Sequence, residues 1–332
     1  MVAIGDAIVD VIAACDDSLL DERGLTKGSM RLLSPDEADD LYAAMGPARE
    51  VSGGSAANSM AGVAALGGRS AFVGQVADDQ LGEIFAHDMT SLGVRFETPP
   101  LTGGPPTGRC LILVTPDAQR TMNTCPGASH ELSPAALDEQ LIRSAAVTFL
   151  EGYLWGPERP RSAMLKAADI AHEAGRTVAF TLSESLCIPG RREGVNGMIE
   201  RGTVDILFGN EDEIRQLSGC GALDDCLAAL APAVPTLIVT RGAAGAVAVE
   251  GGKRVEIPAA PVDRVVDTTG AGDTFVGVLT AWFDSGATLV DALRAAAVAG
   301  ACNCEQVGAQ TAQPTRAQIL ARLPQLPPVT AL

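Results

Sequence analysis

The run Asp267-Thr268-Thr269-Gly270-Ala271-Gly272-Asp273-Thr274-Phe275-Val276-Gly277 places a glycine-rich turn directly before a helical pattern. Two glycines flanking an alanine let the backbone turn sharply and leave several N–H groups open. The small, apolar residues from Phe275 to Phe283 have the length and content of a helix. Open N–H groups at a helix N-terminus, reinforced by the helix dipole, form an anion site. Asp273 falls inside that site. A carboxylate where an anion binds is unfavourable unless it has a task. Taking a proton from a nucleophile that attacks the bound anion is such a task, and it points to phosphoryl transfer.

Working outward, the composition bounds the rest. With 332 residues, 47% of them hydrophobic, the chain can build one large α/β domain and a small appendage. No apolar run reaches the ~18 residues that a membrane span needs. The first residues open on a strand-like segment, Val2 to Ile4, without a basic region or cleavage site, so no secretory leader is expected. A net charge of −17, from 41 acidic and 24 basic residues, argues against nucleic acid or an anionic membrane as partner. It leaves room for an anionic small molecule held locally by N–H groups, arginines and Mg²⁺. Eight cysteines show no Cys-x-x-Cys spacing, and the three histidines are scattered. Free thiols in a reducing cytoplasm are therefore expected, without zinc or a disulfide framework.

Alternation sets the fold class. Val2 to Asp10 reads as a first core strand. Ser55 to Leu66 reads as a helix closed by Gly67-Gly68, Ser70 to Val76 as a strand, and Gln80 to Leu92 as a helix ended by Gly93. Apolar runs recur at Ala146 to Leu150, Thr177 to Leu182, Ile206 to Phe208 and Thr236 to Thr240. Helical patterns at Ser162 to Ala174, Glu211 to Leu217 and Asp224 to Ala231 separate them. Strands alternating with helices imply a doubly wound, mainly parallel sheet. Two segments, 13–50 and 95–129, break the alternation with Gly, Pro and short runs such as Arg109 to Val114. They read as strands of a small discontinuous β-sheet, a lid. The large α/β domain then comprises 1–12, 51–94 and 130–332.

Two motifs carry a family resemblance: Gly53-Gly54-Ser55-Ala56-Ala57-Asn58, and Asp267 to Asp273, with Asn210-Glu211-Asp212-Glu213 between them. In this order and separation they resemble the ribokinase-like (PfkB) carbohydrate kinases, in the adenosine-kinase-like branch, over essentially the whole chain. The resemblance implies that Gly53, Gly54 and Asn58 contact hydroxyls of the phosphate acceptor. It makes Asp10 the sugar- or ribose-binding carboxylate. Asp6, where relatives more often carry Asn, is either a second acceptor contact or a solvated turn residue. Asn210 and Glu213 become the element that organises phosphate and, through water, Mg²⁺, although an Asn and a Glu three apart also suit a helix cap. Arg120, on a turn before a strand-like segment, is a candidate to close over the transferred phosphoryl. Thr240 and Gly242 take nucleotide phosphates and ribose, and Asn303 the adenine side.

The implied reaction is ATP-dependent phosphorylation of a hydroxymethyl group on a sugar or nucleoside. Asp273 accepts the proton, the N–H groups of Gly270, Ala271 and Gly272 hold the developing charge, and K⁺ beside Asp267 and Gly308 is a further candidate. A ribokinase- or fructokinase-like enzyme for a free sugar or sugar acid is the alternative within the class. A non-catalytic nucleotide or sugar sensor is the alternative outside it. Monomer and homodimer both remain open. Tyr153 and Trp155 read either as ligand-stacking or as packing aromatics. Cys125-Pro126 stands where a proline would remove a strand N–H.

Overall fold

Seven parallel strands end their apolar runs at small or polar residues, and in a parallel sheet those ends collect along one edge of the molecule. The computed structural model describes residues 1–117, 119–183 and 191–326. The chain opens with β1 (Val2–Ile4) and β2 (Ile8–Ala14). It passes through α1 (Asp17–Glu22), β3 (Met30–Leu32) and α2 (Pro35–Ala44), and returns by β4 (Ala48–Gly53) to α3 (Ser55–Ala65). Next come β5 (Ser70–Val73), α4 (Gln80–Ser91), β6 (Val94–Phe96), β7 (Gly108–Val114), β8 (Arg120–Cys125), α5 (Glu139–Ser144) and β9 (Val147–Glu151). Strict alternation follows: α6 (Glu158–Glu173), β10 (Thr177–Thr181), α7 (Arg192–Glu200), β11 (Ile206–Asn210), α8 (Glu211–Ser218), α9 (Leu223–Leu230) and β12 (Thr236–Thr240). The last elements are β13 (Ala246–Glu250), β14 (Lys253–Ile257), α10 (Ala271–Asp284), α11 (Leu289–Cys304) and α12 (Arg316–Arg322).

The larger sheet has the order β14-β13-β12-β11-β10-β9-β1-β5-β6, parallel from β12 to β6. Its strands bury both faces, as the unbroken apolar runs require. Ala3, Phe72, Phe149 and Ile238 pack beneath α3, α4, α10 and α11. Val2, Ile4, Phe180 and Leu237 pack against α6 to α9 on the other side. The sheet is doubly wound, as expected, with β1 inside it, third from the β6 edge. The antiparallel β13–β14 hairpin was not expected. Its turn, Gly251-Gly252, has both residues at positive φ, 54° and 79°, which two glycines supply without strain.

The smaller sheet has the order β3-β8-β7-β2-β4. Three expectations need correction here. Val2 to Asp10 is not one strand: β1 belongs to the larger sheet and β2, with Asp10, to the smaller. Gly5 marks the crossing, because a Cβ there would sit 2.4 Å from the buried Glu151 Oε2. Segment 13–50 holds two helices besides its strands. Their Leu20, Ala38 and Leu41 join Val9, Val11, Leu111 and Leu113 in covering the outer face of the small sheet. Val94–Phe96 is the edge of the larger sheet, not part of the small one. Pro126 lies just past the end of β8, so no ladder hydrogen bond is lost there. Of the segments assigned above, residue 118 and residues 184–190 and 327–332 lie outside the described residues.

Helices α3 and α10 meet at Gly277, where a Cβ would lie 2.4 Å from Ser59 O. Backbone at that distance leaves no room for a side chain. Gly277→Ala is expected to lower stability by about 1–3 kcal/mol through overpacking. Thermal melting checks this, and an unchanged Tm would show that the two helices are free to separate.

Candidate active site

The site assembles where β1, β9, β10, β11 and β12 end, facing the small sheet. Helix α3 begins here because Gly54, its N-cap, adopts φ 91° and leaves the backbone pressed on Asp6, where a Cβ would lie 2.3 Å from Asp6 O. Gly53 is bare for a similar reason: the Asp10 carboxylate lies 2.7 Å from where its Cβ would be. The two glycines of the first motif thus make room for the two aspartates of the crossing segment.

Asp273 stands in the first turn of α10, after Gly270 at φ 77°. Ser55 Oγ donates to its Oδ1 at 2.6 Å and Asn58 Nδ2 to its Oδ2 at 2.8 Å. Both donors belong to α3, so the two glycine motifs converge on one carboxylate. Burial raises the Asp273 pKa above the ordinary carboxylate value, and the two hydrogen bonds oppose the rise. Asp10, on β2, is pushed up to about 7 by burial, against the pull of Arg120 and with a further push from Asp273. Around Asp10 the inner face of the small sheet is apolar: Ile8, Cys110 and Ile112 are buried, and Ile12, Val114 and Met122 half-buried.

Asp6 is buried, which removes the solvated-turn alternative. Burial raises its pKa, opposed by His130, Ser129 and Arg191. Its Oδ1 and the Asn58 Oδ1 have no hydrogen-bond partner, as acceptors waiting for a ligand donor would. Arg120 opens strand β8 and pairs with Asp267 at 2.7 Å. Burial pushes the Asp267 carboxyl up, but the N–H groups of Gly308 and Thr269 and the Arg120 guanidinium more than offset it, and its pKa is lowered. Arg120 therefore joins the small sheet to the loop that precedes the anion site.

A cleft of about 370 Å³ opens on the far side of Gly272. Thr240, Gly242, Thr268 and Gly272 line its polar end, while Val265 and Ala301 are among the apolar residues of the remainder. A smaller cavity of about 120 Å³ joins this cleft to the acceptor loops; Ser55, Asn210, Glu213, Thr240, Gly272 and Asp273 line it. Nothing lies within 4 Å of where a Cβ on Gly272 would be, so the turn is open at that residue. The arrangement sets a small polar cavity beside Asp273 against a larger, mainly apolar cleft.

Residues 2–316 match the family of pfkB family carbohydrate kinases. The chain belongs to the pfkB family of carbohydrate kinases. This pfkB kinase is 45% identical to a solved structure of adenosine kinase from Sinorhizobium meliloti, with a TM-score of 0.89 over 96% of this chain and 97% of that one. A probable sugar kinase from Rhizobium etli CFN 42 is 40% identical, also at TM-score 0.89, covering 96% of each chain. Fructokinase-2 of Solanum lycopersicum is 30% identical over 82% of this chain and 86% of its own length. The pfkB kinase is thus an ATP-dependent carbohydrate or nucleoside kinase with the ribokinase-like fold.

Asn210 and Glu213 of this kinase form a capping box: Glu213 N donates to Asn210 Oδ1 at 2.9 Å, and Asn210 N donates to Glu213 Oε2 at 2.8 Å. They also line the smaller cavity, so capping does not remove them from the site. Among the described residues no group of three or more His, Cys, Asp or Glu could hold a metal ion by itself. That donor set fits Mg²⁺, which keeps waters and phosphate oxygens in its shell. Asn303 is not brought to the cleft. Ala297, Gly300, Ala301 and Cys304 form the lining stripe of α11, while Asn303 is fully buried with its Nδ2 3.5 Å from Ala309 O. Trp155 is buried edge-on to Phe180 with ring centroids 6.1 Å apart, which decides for packing. Ser55 and Glu151 were not singled out from sequence. Ser55 sits inside the first motif, and Glu151 is fully buried at the end of β9, where its Oε2 accepts from Ala56 N at 2.8 Å.

Proposed function

We propose that this kinase transfers the γ-phosphoryl of ATP to a hydroxymethyl group of a nucleoside, with adenosine the first acceptor to test. The observation that carries the reading is the convergence of both glycine motifs on Asp273, where Ser55 and Asn58 each hold one oxygen. Asp10, Asn58 and the Gly53-Gly54 loop bind the acceptor hydroxyls, and Asp6 reaches its far side. Asp273 takes the proton of the attacking hydroxyl. The N–H groups of Gly270, Ala271 and Gly272 hold the negative charge that grows on the phosphoryl oxygens, and Arg120 supports it from the small sheet. Thr240, Gly242 and the apolar cleft take the nucleotide. Asn210 and Glu213 hold Mg²⁺ through water, and the ion neutralises phosphate charge when bound. The small sheet acts as a lid that excludes water.

The apolar face around Asp10 favours an acceptor with a flat apolar part, as a nucleoside has, over a free sugar. The 45% identity to an adenosine kinase supports the same choice, while the fructokinase relatives support a free hexose as second reading. Helices α1 and α2 cover the outer face of the small sheet, which favours a monomer. Seven free cysteines among the described residues fit a reducing cytoplasm.

ADP release measured against adenosine, inosine, ribose, fructose and 2-keto-3-deoxygluconate, with and without K⁺, separates these readings. Adenosine is expected to give the highest kcat/KM. Fructose in first place would replace the nucleoside reading, and a flat response across the panel would favour a non-catalytic sensor.

A further inference from the structure

Both oxygens of Asp273 are engaged by donors of the protein itself. Ser55 Oγ holds Oδ1 at 2.6 Å, and the hydroxyl and the carboxylate line the same small cavity as Gly272 and Thr240. A space of about 120 Å³ is large enough for water. Water there, beside bound ATP, faces the same general base as the acceptor does. Its attack would form a bond from the water oxygen to the γ-phosphorus as the bridging P–O bond breaks. ADP would leave with that electron pair, and the water proton would pass to Asp273.

Ser55 is held firmly in front of the base. Its helix is clamped to α10 by Ser59 Oγ, which donates to Asp273 O at 3.0 Å, and by the close approach at Gly277. Its N-terminus is fixed by Glu151, which accepts from Ala56 N. We infer that Ser55 is a positioning residue that guards Asp273 against water, its hydroxyl occupying Oδ1 until an acceptor hydroxyl displaces it. A tethered hydroxyl outcompetes a free water for one lone pair, because its orientation is already set. An acceptor gripped by Asp10, Asn58 and the Gly53-Gly54 loop outcompetes the serine, because those contacts come with it. The guard thus distinguishes water from substrate at the base itself, apart from any closure of the small sheet. It rests on the reading of Asp273 as general base.

The test uses Ser55→Ala and Ser55→Gly, which remove the hydroxyl, and Ser55→Thr, which keeps it. ADP release with ATP and Mg²⁺ alone is compared with phosphorylation of adenosine. Loss of one hydrogen bond of this kind corresponds to about a tenfold change. The ratio of hydrolysis to transfer is expected to rise about tenfold in the Ala and Gly variants and to return with Thr. The acidic limb of the rate profile is expected to move to higher pH in the same two variants, because a donor that lowers the Asp273 pKa is gone. An unchanged ratio in both variants overturns the guard, as does a raised ratio that Thr does not reverse. So does a raised hydrolysis that survives adding Asp273→Asn. Near-normal transfer in Asp273→Asn alone would instead remove the base assignment, and the acceptor-free arm stands whether or not adenosine is the acceptor.

Discussion

Asp273→Asn is expected to lower kcat by about 10²–10⁴-fold, the usual worth of a general base, while ATP affinity changes little. The substitution keeps the shape of the side chain and removes its charge and proton affinity. Ser55 can still donate to the new amide oxygen. Asn58, whose Oδ1 has no partner, can turn to accept from the new N–H₂. The site should therefore stay assembled, and the loss should fall on the chemical step. Removing a buried carboxylate whose pKa is raised also relieves a cost of folding at neutral pH, so the variant should melt no lower than the parent. Steady-state kinetics with a nucleotide-binding titration checks both halves. Near-normal kcat would show that the proton leaves by another route.

Asp10→Asn is expected to act on the acceptor instead. A carboxylate that accepts two hydroxyl hydrogen bonds contributes about 3–4 kcal/mol, so kcat/KM for the acceptor should fall about 10²–10³-fold with the KM for ATP unchanged. The pH dependence follows from the Asp10 pKa of about 7. Below that pH the carboxyl is protonated and can no longer accept fully from both hydroxyls. In the parent, kcat/KM should therefore decline as pH drops through about 7, and this limb should vanish in Asp10→Asn. Stability runs the opposite way. A carboxyl whose pKa is raised on folding contributes stability that is complete below its unfolded value of 3.8 and is lost as pH rises through about 7. Acceptor-free Asp10→Asn should accordingly melt higher than the parent at pH 8, and no higher at pH 4. A parent limb well away from pH 7 would assign the titration to another group.

Much of this was legible in the order of the residues. The period of strands and helices from 146 to 240 gave the sheet, because parallel strands buried on both faces read as unbroken apolar runs. The glycine motifs were legible because only glycine tolerates the φ of Gly54 and Gly270 and the close approaches they make. The crossing from β1 to β2 was hidden for a physical reason: both strands are apolar, and the residue that separates them, Gly5, is bare because of Glu151, a residue distant in the chain. Helix α2 was missed although Ser34-Pro35-Asp36-Glu37 carries a capping box and a first-turn proline. The role of Asn303 depended on which face of α11 meets the cleft, and local sequence does not encode that. Ser55 and Glu151 act only through α3, so they become visible once α3 and α10 are set side by side.

The interior place of β1, between β5 and β9, bears on how the chain comes together. Its partners are β5 and β9, with Val2 opposite Thr148, and β2 pairs with β7, Ile8 opposite Gly108. These two strands thus have neighbours that are synthesised much later than they are. Residues 2–14 must stay unpaired on at least one edge until residues 108–114 and 147–151 are available. Long-range parallel pairing of this kind is slow and leaves apolar strand edges open in the meantime. The edge of β1 that faces β9 is therefore covered only after β9 has been made, and nascent chains that stop short of it carry an open apolar strand edge.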